Sequence, residues 1–297
     1  AAYYLALEGH RVVVFESQPK AGGWLRYGIP EYRLPEDVLD YELESILRLG
    51  VELETGKRLG RDFQLETLFD QGYEAVFLGV GAWRSTLMNI PGEDAQGVLS
   101  GIGFLEKANN GEIASIAGRV VVVGGGNTAV DAARTSLRLG ADSVTLVYRR
   151  SRSEMPAHHL EIEEMEHEGV RLELLANPTC IHPDAQGRVT RITCIRMQLG
   201  EPDASGRRRP VPVEGSEFDI EADWILEAIG QQAESDYLES SRLLKEIKTT
   251  RWGTLEVDSE AMTTSVPGIF AGGDMITGPA TAIEAIAAGK KAAGAIQ

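Results

Sequence analysis

Arg119-Val-Val-Val-Val-Gly-Gly-Gly-Asn-Thr-Ala-Val-Asp-Ala-Ala-Arg-Thr-Ser-Leu-Arg-Leu-Gly140 decides the fold. Four successive valines read as a buried strand, because β-branched side chains suit a pleated interior surface. Three glycines follow, and then an alanine-rich stretch of helical character closed by Gly140. Gly124, Gly126 and Ala129 stand in the pattern G-x-G-x-x-A. Such a pattern is weak alone and specific only between a strand and a helix, as here. Gly124 permits a tight turn, Gly126 keeps a Cβ out of the path of a pyrophosphate, and Ala129 lets helix and strand pack closely. The N–H groups at the helix start then face phosphate oxygens.

About 20 residues beyond such a loop, an acid selects an unphosphorylated ribose and an arginine accommodates a 2′-phosphate. The strand read within residues 140–150 ends in Arg149 and Arg150, with Arg152 close by. A guanidinium can pair bidentately with phosphate, so NADP(H) is favoured over NAD(H). The remainder of this unit is a polar helix ending at Gly169, a strand over 170–175 and another over 223–230.

Upstream the same programme runs once more with the opposite charge. Residues 11–16 form a β-branched run of buried-strand type ending on Glu16. A helix spans 35–50, and strands cover 51–54 and 75–80. An acid at that strand end fits a ribose without a 2′-phosphate. The matching glycine loop would lie before Ala1, so the chain reads as truncated at its N-terminus. The expectation from the residues is an α/β protein with two Rossmann-like dinucleotide-binding domains that hold two different dinucleotides.

Composition agrees with this class. With 297 residues, 43% hydrophobic and 25% charged, the chain is an ordinary two-domain globular sequence. Its net charge of −16 argues against nucleic acid as a partner. No apolar run reaches the roughly 20 residues of a membrane span. Cys180 and Cys194 are expected to be buried free thiols of a cytoplasmic protein. The pair His158 and His159 lies on a helix crowded with acids and reads as a solvated face, so no metal site is expected. Between the second strand unit and its last strand, residues 188–220 read as a β-excursion with a hairpin turn at 201–206, on which Arg207, Arg208 and Arg209 are expected to be exposed. Trp83 and Trp252 are expected in the core or at a domain contact. A last strand within 267–274 and a small-residue helix over 279–296 complete the chain.

Four stretches carry a family resemblance: AGGWLRYGIPEYRLP at 21–35, VVGGGNTAVDAA at 122–133, YRRSRSEMPA at 148–157 and FAGGDMITGPATAIEAIAAG at 270–289. The chain resembles the two-dinucleotide-binding flavoproteins, most closely the small (beta) subunits of NADPH-dependent glutamate synthase; dihydropyrimidine dehydrogenase contains a similar module. The resemblance implies that the two Rossmann-like domains serve FAD and NADPH, the second inserted in the first, with 1–85 as the first part of the FAD domain, 86–235 for NADP(H) and 236–297 as the second part of the FAD domain. It implies FAD contacts at Glu16, Gly22, Gly23, Trp24, Arg33 and Leu59. It adds Gly273, Asp274, Thr281 and Ala282 at the flavin end. It implies NADPH contacts at Gly124, Gly125, Gly126, Asn127 and Thr128, at Arg149 and Arg150 for the 2′-phosphate, and at Ala228, Ile229 and Gly230 along the nicotinamide nucleotide. That group also carries an earlier glycine fingerprint and a cysteine-rich iron–sulfur domain ahead of it. Two isolated cysteines cannot ligate a four-cysteine cluster.

The chemistry this implies is hydride transfer from NADPH to flavin, then electron delivery to an iron–sulfur domain or a large catalytic subunit. Cofactors supply the difficult chemistry, so no classical catalytic residue is nominated. Alternatives are the same module in a formate-, ferredoxin- or pyrimidine-linked complex, or a non-catalytic nucleotide-binding module. A thioredoxin-reductase-like enzyme would need a C-x-x-C pair, and neither cysteine forms one.

Overall fold

The computed structural model describes residues 1–203 and 206–297. They form two compact units. The first comprises Ala1–Arg26, Leu34–Arg84 and Gln231–Gln297; the second comprises Tyr27–Arg33 and Ser85–Gly230. Along the chain, the second interrupts the first. The expected turn at 201–206 includes 204 and 205, which lie outside the described residues.

The second unit is built on a five-stranded parallel sheet. Its strands lie in the order Val98–Ser100, Trp224–Glu227, Arg119–Val123, Ser143–Tyr148 and Arg171–Leu174. The valine run is buried through Val120, Val121, Val122 and Val123 because it is central and paired on both sides. The valine strand is followed by the expected helix, Asn127–Arg138, which ends before Gly140 at a φ of 99°. The helix His159–His167 precedes Gly169 in the same way. On one face of the sheet, Val121, Val123, Val147 and Ile225 form a core with Ala176, Ile181, Ile192 and Cys194. Those last four belong to an antiparallel sheet of Ala176–Pro183, Val189–Pro202, Arg208–Pro212 and Phe218–Glu221, the β-excursion read from the sequence. Cys194 is buried there and Cys180 is half-buried, both as free thiols.

Register at the amino end of the parallel sheet is held by Asp223. Its carboxylate accepts from the Arg119 backbone N–H at 2.8 Å and from the Arg119 Nε at 2.9 Å. That pairing locks the Trp224–Glu227 strand against the valine strand, so their carboxyl ends finish level, with Glu227 opposite Val123.

The first unit carries two short parallel pairs. Val13–Phe15 runs beside Glu52–Glu54, and Val76–Leu78 beside Ile269–Ala271. Its core gathers Leu65, Leu78, Leu244, Leu255, Ile269 and Met275. The run over 11–16 is half-buried rather than buried. Among the described residues it pairs along one edge only, so its side chains lack the cover that the valine strand has. The helices expected over 35–50 and 279–296 are Glu36–Leu47 and Ala282–Ile296.

The tryptophans divide. Trp83 is partly buried, its ring 3.8 Å from that of Trp24. Trp252 is not a core residue: it is 71% exposed, on a turn where Arg251 lies over its ring. Its neighbours in sequence, Arg251 and Gly253, give it no apolar face to enter. Leu226 is fully buried in the parallel sheet, so Leu226→Ala should cost about 2–5 kcal/mol. Trp252→Ala should change stability by no more than about 0.5 kcal/mol. Denaturant unfolding of the two variants checks this contrast.

Candidate nucleotide-binding site

In an open parallel sheet, ligands sit outside the carboxyl ends of the strands. In the second unit those ends are Ser100, Glu227, Val123, Tyr148 and Leu174. The glycine loop leaves Val123 there. Gly124 has a φ of 146°, and a Cβ on it would lie 2.3 Å from the Ala228 carbonyl oxygen. No other residue type can bring these two backbones so close. The Gly124 N–H donates to the Val147 carbonyl at 3.0 Å, and the Ala228 N–H to the Val123 carbonyl at 2.8 Å. Gly125 is held for a different reason: a Cβ would meet the Tyr148 ring at 2.5 Å. The Tyr148 hydroxyl in turn donates to the Glu154 carbonyl at 2.8 Å.

Gly126 differs from both. Its φ is −89°, open to any residue, and a Cβ there would find only Pro156, at 3.9 Å. Nothing in the protein demands glycine at this point. The space a side chain would fill lies in front of the first turn of the Asn127–Arg138 helix. That helix has no side-chain cap, and its first N–H groups have no intrahelical acceptor. The helix dipole adds partial positive charge at this end. Asn127 braces the loop, its Oδ1 accepting from the His158 N–H at 3.1 Å. Thr128 follows it on the first turn.

Ala228, Ile229 and Gly230 leave the neighbouring strand beside this loop. Ala228 is buried, Ile229 is 41% exposed, and the Gly230 carbonyl accepts from the Thr86 N–H at 3.0 Å. At the end of the next strand, Arg149 and Arg150 diverge. Arg149 is exposed and has no ion pair among the described residues. Arg150 is buried; it donates to Asp203 Oδ2 at 2.7 Å and to the Arg208 carbonyl at 2.8 Å. Arg152 pairs with Glu166 at 2.7 Å.

The residues expected around FAD fall in the first unit, with one exception. Glu16 Oε1 accepts from the Gln18 N–H at 2.8 Å. Gly22 and Gly23 have φ of 133° and 52° and form the turn before Trp24, whose Nε1 donates to the Ala82 carbonyl at 2.9 Å. Leu59 packs its side chain on the core. Gly273 has a φ of 71°; Asp274, its carboxyl pushed up by burial, accepts from the Ala280 N–H at 3.2 Å. Thr281 caps the helix that Ala282 begins, exchanging hydrogen bonds with Glu284. Arg33 is the exception. It belongs to the second unit, where its guanidinium donates to both Asp131 oxygens at 2.8 and 2.7 Å.

The structure adds residues that the sequence reading passed over. Asp131 lies buried on the glycine-loop helix as the partner of Arg33; an acid among Val130, Ala132 and Ala133 was the available signal. Glu227 is 4% exposed at the carboxyl end of its strand, and its Oε1 has no hydrogen-bond partner among the described residues. Burial, and then the neighbouring Glu93, push its carboxyl up to about 8. Glu93 is itself occupied in bonding the Met88 and Ile90 N–H groups. Among the described residues no group of three or more His, Cys, Asp and Glu side chains gathers as for a metal.

Comparison with known proteins follows the same lines. Residues 1–289 match the family model described as pyridine nucleotide-disulphide oxidoreductase. The chain is 47% identical to the NADP(+)-dependent formate dehydrogenase subunit beta of Moorella thermoacetica over 99% of its own length and 41% of that protein's. It is 35% identical to a putative glutamate synthase [NADPH] small chain of Cereibacter sphaeroides, over 100% of its length and 73% of the relative's. It thus spans less than half of the first relative and most of the second. A solved structure of Mycobacterium tuberculosis FprA in complex with NADPH has the same fold, with a TM-score of 0.78 at 18% identity, covering 99% of this chain and 80% of that one.

The Glu227 carboxyl sets a pH dependence of stability. A carboxyl whose folded value lies above its unfolded one contributes stability that is fully present below the unfolded value. That contribution is lost as pH rises from the usual carboxylate range to about 8. Glu227→Gln removes the ionisable group, so the melting temperature of the variant should gain on the parent's across that window and level off above it. Thermal unfolding of both proteins from pH 5 to about 9 checks this.

Proposed function

The chain belongs to the pyridine nucleotide-disulphide oxidoreductase family, and from that premise we propose that it is the FAD- and NADPH-binding module of an electron-transfer enzyme. In this reading it passes electrons from NADPH through flavin to an iron–sulfur or partner-subunit acceptor. When bound, the nicotinamide supplies a hydride and the flavin takes it up as two electrons and a proton. The protein's part is to hold, orient and select.

The observation that carries the reading is the glycine loop. Gly126 leaves a side-chain-sized space before an uncapped helix start, which suits a pyrophosphate. Asn127 and Thr128 present the first-turn N–H groups. Arg149, exposed and without an ion pair among the described residues, suits a 2′-phosphate next to the adenosine ribose. Ile229 offers an apolar edge and Gly230 a bare backbone along the nicotinamide nucleotide. In the first unit, Glu16 has one carboxylate oxygen held by the Gln18 N–H. Its other oxygen can accept from the hydroxyls of an unphosphorylated ribose, which suits FAD. Gly22, Gly23, Trp24, Gly273, Asp274, Thr281 and Ala282 are read as the rest of that site. The domain assignment follows: FAD with the first unit, NADPH with the second.

The final acceptor is the finer question. Higher identity to the formate dehydrogenase subunit than to the glutamate synthase small chain supports a partner of the former kind. No helix among the described residues is long and apolar enough to cross a membrane, and a cytoplasmic setting accords with the free thiols.

Two variants test the nucleotide site. Arg149→Ser should weaken NADPH by about tenfold or more, the worth of a charge-assisted bond, and leave NADH nearly unchanged. Gly126→Ala should leave the melting temperature unchanged while weakening both coenzymes. Equilibrium binding with each coenzyme checks both, and equal responses to Arg149→Ser would remove the 2′-phosphate assignment.

A further inference from the structure

The hairpin of Val189–Pro202 and Arg208–Pro212 is docked on the 149–154 turn by two ion pairs. Arg150 reaches out from the end of its strand to Asp203 Oδ2 at 2.7 Å and to the Arg208 carbonyl at 2.8 Å. Its side chain is 6% exposed. Arg208 reaches back, its Nε donating to Glu154 Oε1 at 2.8 Å. Glu154 is also the capping residue of that turn, bonded through its other oxygen to the Ser151 N–H and hydroxyl. The Asp203 N–H bonds the Arg207 carbonyl at 2.8 Å, closing the hairpin where the Arg150 contact falls.

Burying a guanidinium is costly, and its pairing with a carboxylate rarely leaves much surplus. A buried pair that joins a strand end to a residue 53 positions later contributes mainly by fixing one arrangement. The hydrogen bonds of Arg150 are directed to the hairpin, so Arg150 acts as its holder. Charges around the turn then sort themselves. Arg150 pairs with Asp203, Arg152 with Glu166, and Arg208 with Glu154. Arg149 is left over. Glu154 is held ionised, first by the Ser151 hydroxyl and then by Arg208. Without Arg208 it would stand as a bare negative charge beside any phosphate on the turn. Arg208 itself is half-exposed. Its two terminal nitrogens have no hydrogen bond among the described residues.

We propose that this hairpin is the second wall of the 2′-phosphate site, with Arg208 as a phosphate-facing cation beside Arg149 and the Arg150–Asp203 pair as the latch that holds it there. The proposal rests on the reading that the 149–154 turn receives a 2′-phosphate. Arg150 is then a positioning residue, and selectivity for the phosphorylated coenzyme is built partly from a segment outside the nucleotide-binding sheet.

The test uses the whole chain and two probes, 2′,5′-ADP and 5′-AMP, followed by calorimetry. Arg208→Gln should weaken 2′,5′-ADP by about tenfold and leave 5′-AMP unchanged. Asp203→Asn separates a latch from bulk charge. It removes a negative group, so charge alone predicts tighter 2′,5′-ADP binding, whereas release of the hairpin predicts weaker binding. Weaker binding in both variants supports the proposal; unchanged binding in Arg208→Gln, or tighter binding in Asp203→Asn, overturns it. Arg149→Gln is the control for the underlying reading. If it weakens 2′,5′-ADP and Arg208→Gln does not, the hairpin proposal alone falls. If none of the three variants responds, the 2′-phosphate site falls with it.

Discussion

Gly124 and the Ala228 carbonyl approach so closely that a single carbon atom between them would be 2.3 Å from oxygen. This contact joins the two loops that leave adjacent central strands, and much of the second unit's chemistry is arranged around it. It exists because Glu227 and Val123 are level in the parallel sheet, which Asp223 secures at the other end by bonding Arg119. Register at the amino end therefore determines what meets at the carboxyl end. The glycines are also not equivalent. Gly124 is demanded by a neighbouring backbone and Gly125 by an aromatic ring, while Gly126 answers to nothing in the protein. A position that protein packing leaves open, in front of an uncapped helix, is where a ligand's requirements show through most directly.

Charge at the strand ends is similarly divided. Arg149 is exposed and has no ion pair among the described residues, whereas Arg150 is consumed internally. Two adjacent arginines of equal formal charge thus stand in different settings, one open to solvent and one holding the hairpin. Glu227 illustrates the converse. It is a carboxyl buried at the site's edge beside Glu93, and it keeps its proton well above the ordinary range. A buried acid beside another acid is costly to ionise, so its neutral form is part of the folded state.

Legibility in the sequence followed the range of the interactions. The strand, glycine loop and helix over 119–140 were readable because every determinant lies within twenty-odd consecutive residues. Burial of the valines, the helices ending at Gly140 and Gly169, and the β-excursion were readable for the same reason. The half-burial of residues 13–15 was not, since it depends on how many neighbours a strand acquires. Nor was the latch: Arg150 is more than fifty positions from both Asp203 and Arg208, and periodicity says nothing about which charged residues meet. Trp252 failed differently, because a large apolar ring on a turn between Arg251 and Gly253 has nowhere to be buried. The Asp131 partner of Arg33 lay in plain view as an acid on an apolar helix, a signal that local patterning treats as noise.

The central claim is that one chain seats FAD and selects NADPH as its reductant. It is tested most directly by loading the protein with FAD under anaerobic conditions and following the yellow flavin absorption on mixing with each coenzyme. The account predicts rapid bleaching by NADPH and much slower bleaching by NADH at the same concentration. A flavin that binds but is bleached by neither, or by both at equal rates, would contradict it.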